Sequence, residues 1–308
     1  MVKSNQHKDL YQEITDKIIA EMEQGRLPWV QPWDSSHTAC AVGLPVNAST
    51  QRQYSGINIL ILWGAVFDRD FTSQNWLTFK QAKALGGTVR KGEHGQVVCY
   101  ADRFTPQSER EQAKAEGREA QSIPFLKRYR VFNIDQCDGL PNDIMASPQP
   151  LPERETIPRA EELAKASGAD FRHGGDRAFY SPSLDYIQLP PQPAFTDQIN
   201  YYRTLFHELS HQTGHPSRLN RDQTGSFGSK TYAREELVAE MGSAFICAAL
   251  NIVPTVRHAD YLAGWMDVLK EDKRAMFRAA SQACKVAEYL FALEQGATKA
   301  TTEQEVAA

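Results

Sequence analysis

The chain predicts an α+β fold in two domains, and three features of the sequence carry that expectation. Its 308 residues are more than one ordinary core holds. An aperiodic, proline-rich run from Leu140 to Glu153 separates two halves that are each periodic. In both halves, apolar residues at helical spacing occur beside short strand-like runs. The expected organisation is a mixed α/β domain over 1–140, a linker over 141–156, a helical domain with a small sheet over 157–293, and a polar tail over 294–308.

Each element has its own reason. Leu10, Ile14, Ile18, Ile19 and Met22 recur at helical spacing and predict an amphipathic helix over about 8–24. Trp76-Leu-Thr-Phe79, Gln96-Val-Val-Cys-Tyr100 and Lys127-Arg-Tyr-Arg-Val-Phe-Asn133 read as strands of a curved antiparallel sheet. Turns at Gly86-Gly87 and Gly92–Gly95 separate them. Residues 106–121 are polar, charged and without an apolar face, so a poorly ordered insertion is expected there. Beyond the linker, a helix over 157–167 and two or three short strands over 169–189 follow. Tyr202, Leu205, Phe206 and Leu209 predict a helix over 198–213, stopped by Gly214 and Pro216. Leu237, Met241, Ala244 and Phe245 predict another after Tyr232, a long helix covers about 257–293, and the tail from 295 is expected to be disordered.

Composition excludes several classes. Hydrophobic residues make up 41% and charged residues 23%, with a net charge of −4, the profile of an ordinary soluble protein. No apolar run reaches membrane-spanning length, and the first residues lack the core of a signal peptide. Five scattered cysteines (Cys40, Cys99, Cys137, Cys247, Cys284) without a CxxC pair read as reduced thiols of a cytoplasmic protein rather than as metal ligands.

His207-Glu208-Leu-Ser-His211 carries the chemistry. Residues four apart on a helix share a face, so His207 and His211 aim two imidazoles at one point. Glu208 is close enough to accept a proton from water there. A third ligand must come from elsewhere, leaving a fourth position open for water. The next helix offers Glu235, Glu236 and Glu240. Glu236 and Glu240 share a face, so Glu236 is assigned to the metal and Glu240 to a hydrogen bond with a ligand histidine, whereas Glu235 is read as a solvated charge beside Arg234. His215 is a competing third ligand, but the pattern HExxHxxGxxH has Ser217 in place of its last histidine here. This arrangement resembles the Glu-liganded zincins, the gluzincin-like peptidases. Zinc is the expected ion, with manganese or another divalent ion able to substitute. Tyr232 and His215 are the candidate stabilisers of a developing oxyanion. A structural zinc site would ordinarily be closed by four, often Cys-rich, ligands, so two His, one Glu and an adjacent base favour an open, catalytic one.

Trp29, Trp33, Trp63 and Trp76 lie before residue 80, interleaved with Tyr54, Phe79, Tyr100 and Phe104. Lys80, Lys83, Arg90 and Lys91, then Lys127, Arg128 and Arg130, lie among and after them. Aromatic faces beside cations are what single-stranded nucleic acid requires, but charge over 1–140 is nearly balanced, and composition alone leaves aromatic core packing as the stronger alternative. Trp63, within Ile59-Leu-Ile-Leu-Trp, reads as core. Trp29 and Trp33, held extended by Pro28 and Pro32, read as exposed platforms.

Several motifs now align with a known family. Pro28-Trp29, Pro32-Trp33, Tyr54-Ser-Gly-Ile-Asn58, Leu62-Trp63, the run Trp76–Glu93 and Val131-Phe-Asn-Ile-Asp-Gln-Cys137 resemble the ArdC-type antirestriction proteins and the related N-terminal domain of TraC-type plasmid primases. His207–His211 followed by Arg234-Glu-Glu-Leu-Val-Ala-Glu240 resembles the zincin-like peptidase domain of the same family. The resemblance implies a single-stranded DNA-binding protein of a conjugative plasmid that protects incoming DNA from restriction, joined to a zinc peptidase of unknown protein substrate, with no membrane partner. It favours DNA contacts at Trp29, Trp33, Tyr54, Trp76, Lys80, Lys83, Arg90, Lys91, Lys127 and Arg128. The alternative is a DNA-binding shield whose metal site is structural or inactive.

Overall fold

The computed structural model describes residues 9–29, 43–145, 153–195, 198–252 and 262–306. In chain order the elements are α1 (Leu10–Glu23), β1 (Val46–Asn47), α2 (Ile57–Asp68), β2 (Asn75–Leu77), α3 (Phe79–Ala84), β3 (Thr88–Val89), β4 (Gln96–Phe104), α4 (Gln107–Glu116), β5 (Ile123–Asn133), β6 (Cys137–Asp138) and α5 (Asn142–Met145). Then come α6 (Glu153–Ala166), β7 (Asp170–His173), β8 (Phe179–Ser181), β9 (Tyr186–Leu189), α7 (Gln198–Gln212), α8 (Lys230–Ala249), α9 (Leu262–Glu271) and α10 (Ala275–Val306). The fold is α+β, and no helix of the described residues is long and apolar enough to cross a membrane.

Packing groups the chain into two compact units, and they do not follow sequence order at residue 140. The first unit joins the residues up to Val46 and Gln53–Gln74 to everything from Ser147 onward. Its α2 shows why. Ile57, Ile59, Leu60, Leu62, Trp63, Ala65 and Val66 are all buried, so this helix has no wide solvent face and needs cover on several sides. Trp63 is core as its setting predicts, its ring edge-to-face with Phe245 at 5.7 Å and its indole N–H donated to Gly43 O. The α1 helix joins the same unit: Tyr11 meets Phe277, and the Thr15 hydroxyl donates to Lys273 O.

The second unit comprises Asn47–Arg52 and Asn75–Ala146. Its four-stranded sheet has the order β1-β2-β5-β4, with β5 antiparallel to both β2 and β4. A small core of Ala48, Leu77, Ala82, Ile134, Cys137 and Leu140 lies under it. A capping box starts α3: the Thr78 hydroxyl accepts from Gln81 N–H, and the Gln81 side chain accepts from Thr78 N–H.

Three expectations of disorder or continuity are corrected. Residues 106–121 contain α4, a solvated helix held by Gln107–Glu111 and Gln112–Glu116 hydrogen bonds four apart and closed by Arg118 on Glu109 and Glu116. The tail from 295 continues as α10 to Val306. The long helix expected over 257–293 is two, because the chain turns at Asp272, whose side chain accepts from Arg274 N–H, before α10 begins. The linker's middle, 146–152, lies outside the described residues, as does Cys40; the other four cysteines are free thiols.

Candidate metal centre

Two helices build the site. On α7, Tyr202, Leu205, Phe206 and Leu209 face the core, which carries His207 and Glu208 into burial with them. The Ser229 hydroxyl caps α8 by accepting from Tyr232 N–H at 3.2 Å. The two helices approach closely at Gly242, where a Cβ would stand 2.8 Å from Ser210 Oγ and 3.3 Å from Val286 Cγ1. That close approach brings Glu236 up to the two imidazoles.

Glu236 bridges them. Its Oε2 stands 3.5 Å from His207 Nε2 and its Oε1 3.4 Å from His211 Nε2, and one donor atom from each of the three residues lies within 4.8 Å of the others. Ligands at about 2.05 Å from a tetrahedral ion are about 3.3 Å apart. The donor set therefore fits a small divalent cation without rearrangement of the helices.

A further carboxylate stands beside the far nitrogen of each ring. His207 Nδ1 faces Glu240 Oε1 at 3.4 Å, as the four-residue spacing from Glu236 predicts. His211 Nδ1 meets Glu235 Oε1 at 3.2 Å. A carboxylate at Nδ1 selects the tautomer that leaves Nε2 as a lone-pair donor toward the shared point.

Glu235 corrects the sequence reading. It is buried and clamped, accepting from Arg221 Nε at 2.9 Å and Nη2 at 2.7 Å, while Gln223 donates to it at 3.1 Å. Arg221 also donates to Ser210 O and Thr213 Oγ1, tying the turn after α7 to α8. One signal for this was present: the run Leu237–Ala248, apolar apart from Glu240, Gly242 and Ser243, marks a helix buried on most sides, which leaves little solvent face for a neighbouring charge. Arg221 and Gln223 had no such signal, since they belong to a loop between α7 and α8.

Without a cation, charge accumulates as protons. Burial opposes the charged imidazole of His211, but the Glu235 and Glu236 carboxylates outweigh it and push its pKa up to about 10. Burial would likewise raise Glu235 and Glu236. Arg221 and His211 instead bring Glu235 down to about 2, and the two imidazoles hold Glu236 well below the usual carboxylate range.

A cavity of about 400 Å³ opens onto this centre, lined by His207, Glu208, His211, Glu236 and Tyr232. Phe179 and Tyr180 of β8 form another wall, and β8 is an edge of the sheet β7-β9-β8. His215 is not part of the lining. Its Nδ1 is engaged by Ser217 instead, because the chain turns sharply after Gly214.

The expected DNA contacts scatter. Trp29 and Trp76 are fully buried, which removes both as stacking platforms. Leu27 and Trp29 tuck inward after α1, with Trp29 edge-to-face on Trp265 at 5.3 Å, and Trp76 sits on the buried strand β2 opposite Asn133. Trp33 lies outside the described residues. Tyr54 is half-buried and lines a cavity beside Cys284 in the first unit. Lys80, Lys83, Arg90, Lys91, Lys127 and Arg128 are all exposed in the second unit, although Arg90 is engaged by Glu93, Asp138 and the Asp135 carbonyl.

Comparison with known proteins places this geometry. Residues 8–132 match the N-terminal domain of anti-restriction factor ArdC, and residues 158–282 match a zincin-like metallopeptidase. The metal-free crystal structure of antirestriction protein ArdC from the R388 plasmid is 40% identical, with a TM-score of 0.79 over 94% of this chain and 98% of that one. The chain belongs to the ArdC antirestriction family. A Mn(II)-bound crystal structure of the R388 ArdC protein is 38% identical, with a TM-score of 0.76 over 93% of this chain and 98% of that one. An uncharacterised protein of Sinorhizobium fredii is 40% identical over 94% of both chains. A DNA primase TraC of Escherichia coli is 36% identical over 97% of this chain, which spans 28% of that longer protein. The family matches follow sequence order, whereas packing moves α1 and α2 of this ArdC-family chain into the unit that holds the metal centre.

Proposed function

We propose that this ArdC-family chain is a cytoplasmic antirestriction protein that binds single-stranded DNA and carries a zinc-dependent peptidase centre. The observation that supports the peptidase reading is the convergence of His207, His211 and Glu236 beside a buried Glu208 at the floor of an open cavity. A divalent ion held there supplies Lewis acidity, polarising a peptide carbonyl and acidifying water. Zinc is preferred for this donor set, and manganese is compatible with it.

The remaining work belongs to the chain. Glu208 is positioned to accept the proton of the attacking water and to return it to the amine that leaves. Tyr232, one turn before Glu236 on the cavity wall, is the candidate hydroxyl donor to a developing oxyanion. The edge strand β8 offers backbone groups along the same wall to an extended peptide, a common way for a sheet edge to hold one. The physiological substrate is a protein of unassigned identity.

Metal analysis combined with two variants tests this reading. Purified protein equilibrated with zinc should retain about one ion per chain, as should Glu208→Gln, while His207→Ala and Glu236→Ala should lose it. Glu208→Gln should also abolish any peptide cleavage. A parent protein that retains no divalent ion refutes the centre. If Glu208→Gln protects transferred DNA as fully as the parent, protection resides in DNA binding alone.

A further inference from the structure

We infer that the ribbon formed by β4 and β5 is the single-strand contact surface, with Tyr100 and Tyr129 stacking bases and the ribbon's excess of cations attracting the phosphates. This rests on the single-stranded DNA reading above and moves it away from the tryptophans. Register defines the two faces. Val98 pairs with Tyr129, Tyr100 with Lys127 and Phe104 with Ile123, so Tyr100, Phe104, Ile123, Lys127 and Tyr129 share one face. Tyr100 and Tyr129 confirm this by meeting edge-to-face at 6.1 Å as diagonal neighbours. Arg103, Arg128 and Arg130 fall on the other face.

Exposure makes the first face unusual. Tyr100, Phe104, Ile123 and Tyr129 are 54%, 57%, 57% and 45% exposed, two pairs of large apolar side chains on one face of a strand pair with the Asp102–Phe125 register position between them. Isolated exposed apolar residues are common, whereas several large ones gathered on one face of a strand pair mark a binding surface. From Tyr129 to Ile123 this face spans about 20 Å, which matches a footprint on the order of four nucleotides.

Charge selects the occupant. The two strands contain four cations, Arg103, Lys127, Arg128 and Arg130, and a single acid, Asp102. Arg103, Arg128 and Arg130 lie on one face and Lys127 with Asp102 on the other, so the excess positive charge belongs to the ribbon as a whole. A polyanion with flat apolar bases satisfies both the aromatic residues and the cations, and an unpaired strand exposes those bases as a duplex does not.

Fluorescence anisotropy of the full chain with a fluorescein-labelled oligothymidine of about twenty nucleotides tests the assignment, with sedimentation velocity run in parallel. Tyr129→Ala and Tyr100→Ala should each weaken binding at least about fivefold, whereas Tyr129→Phe, which keeps the ring, should bind like the parent. Arg128→Gln with Arg130→Gln should make the log–log salt dependence shallower by about 1.4, corresponding to two phosphates on a single strand. If the parent binds and all these variants bind equally well, the ribbon assignment falls while the single-stranded DNA reading stands. A parent without salt-dependent affinity for the oligonucleotide overturns both. A dimeric parent that Tyr100→Ala and Tyr129→Ala render monomeric would identify the face as a contact between copies and overturn the assignment.

Discussion

Glu235→Gln is the most revealing change to the metal centre. The Glu235 carboxylate accepts two bonds from Arg221 and one from Gln223, and it faces His211 Nδ1. A glutamine keeps the shape but turns one acceptor into a donor, which must then face Arg221 or His211. It also leaves the buried Arg221 guanidinium without its charge partner, at a cost of about 3–5 kcal/mol. The proton balance agrees: holding the Glu235 carboxyl at about 2 rather than 4.5 corresponds to about 3 kcal/mol of preference for the charged form. Its pKa is lowered on folding, so this stabilisation is present above about 4.5 and is lost as pH falls toward 2. The second consequence is on the metal. Loss of the carboxylate that orients a ligand imidazole typically weakens binding about 10- to 100-fold, or about 1.4–2.8 kcal/mol. Competitive zinc titration of the apo-protein, with denaturant unfolding in the absence of metal, measures both effects. A solvated Glu235 beside Arg234 would give a stability change within about 0.5 kcal/mol and an unaltered zinc affinity. That result would refute the clamp.

Further expectations follow from the structure. Because His211 in the metal-free protein holds its proton up to about 10, an ion must displace that proton; zinc affinity should rise with pH, and calorimetry in buffers of different ionisation enthalpy should detect at least one proton released per ion. The metal-free protein correspondingly gains stability from the charged imidazole below its ordinary 6.5, and this gain fades as pH rises through about 10. Gly242→Val should push α7 from α8 at the Ser210 contact, destabilise the fold by about 1–3 kcal/mol and lower the metal content, as unfolding curves and elemental analysis would report. Trp76→Ala should cost about 3–5 kcal/mol of stability as a core deletion, whereas Trp29→Phe should leave affinity for single strands unchanged in the anisotropy assay; a selective loss of DNA binding in Trp29→Phe would restore that residue to the interface.

The cluster of histidines and carboxylates was more legible in the sequence than the exposure of the aromatic residues. Helical periodicity is local and regular, so His207, Glu208 and His211 could be placed relative to one another from spacing alone, and Glu236 separated from its neighbour by a quarter-turn. The same regularity misplaced Glu235. Its direction around the helix was readable, but what waits in that direction is Arg221, which reaches it from a loop. Aromatic content before residue 80 was likewise readable, while burial was not: a tryptophan that fills a core and one that stacks on a base share the same side chain. Polarity misled in the opposite sense at α4, where hydrogen bonds between residues four apart and the Arg118 bridges order a helix with almost no buried face.

By itself, the amino-acid order determined the α+β class, the principal helices, and a two-histidine motif awaiting a carboxylate, since these depend on contacts within one or two turns. The tertiary structure alone decided the rest. It moved α1 and α2 into the unit of the candidate metal centre, α2 because an all-round apolar helix must find partners wherever the chain supplies them. It converted Glu235 from a solvated charge to a clamp on His211 through an arginine fourteen residues away. It also buried Trp29 and Trp76 while leaving the Tyr100 and Tyr129 rings exposed, since burial depends on which surfaces distant segments cover.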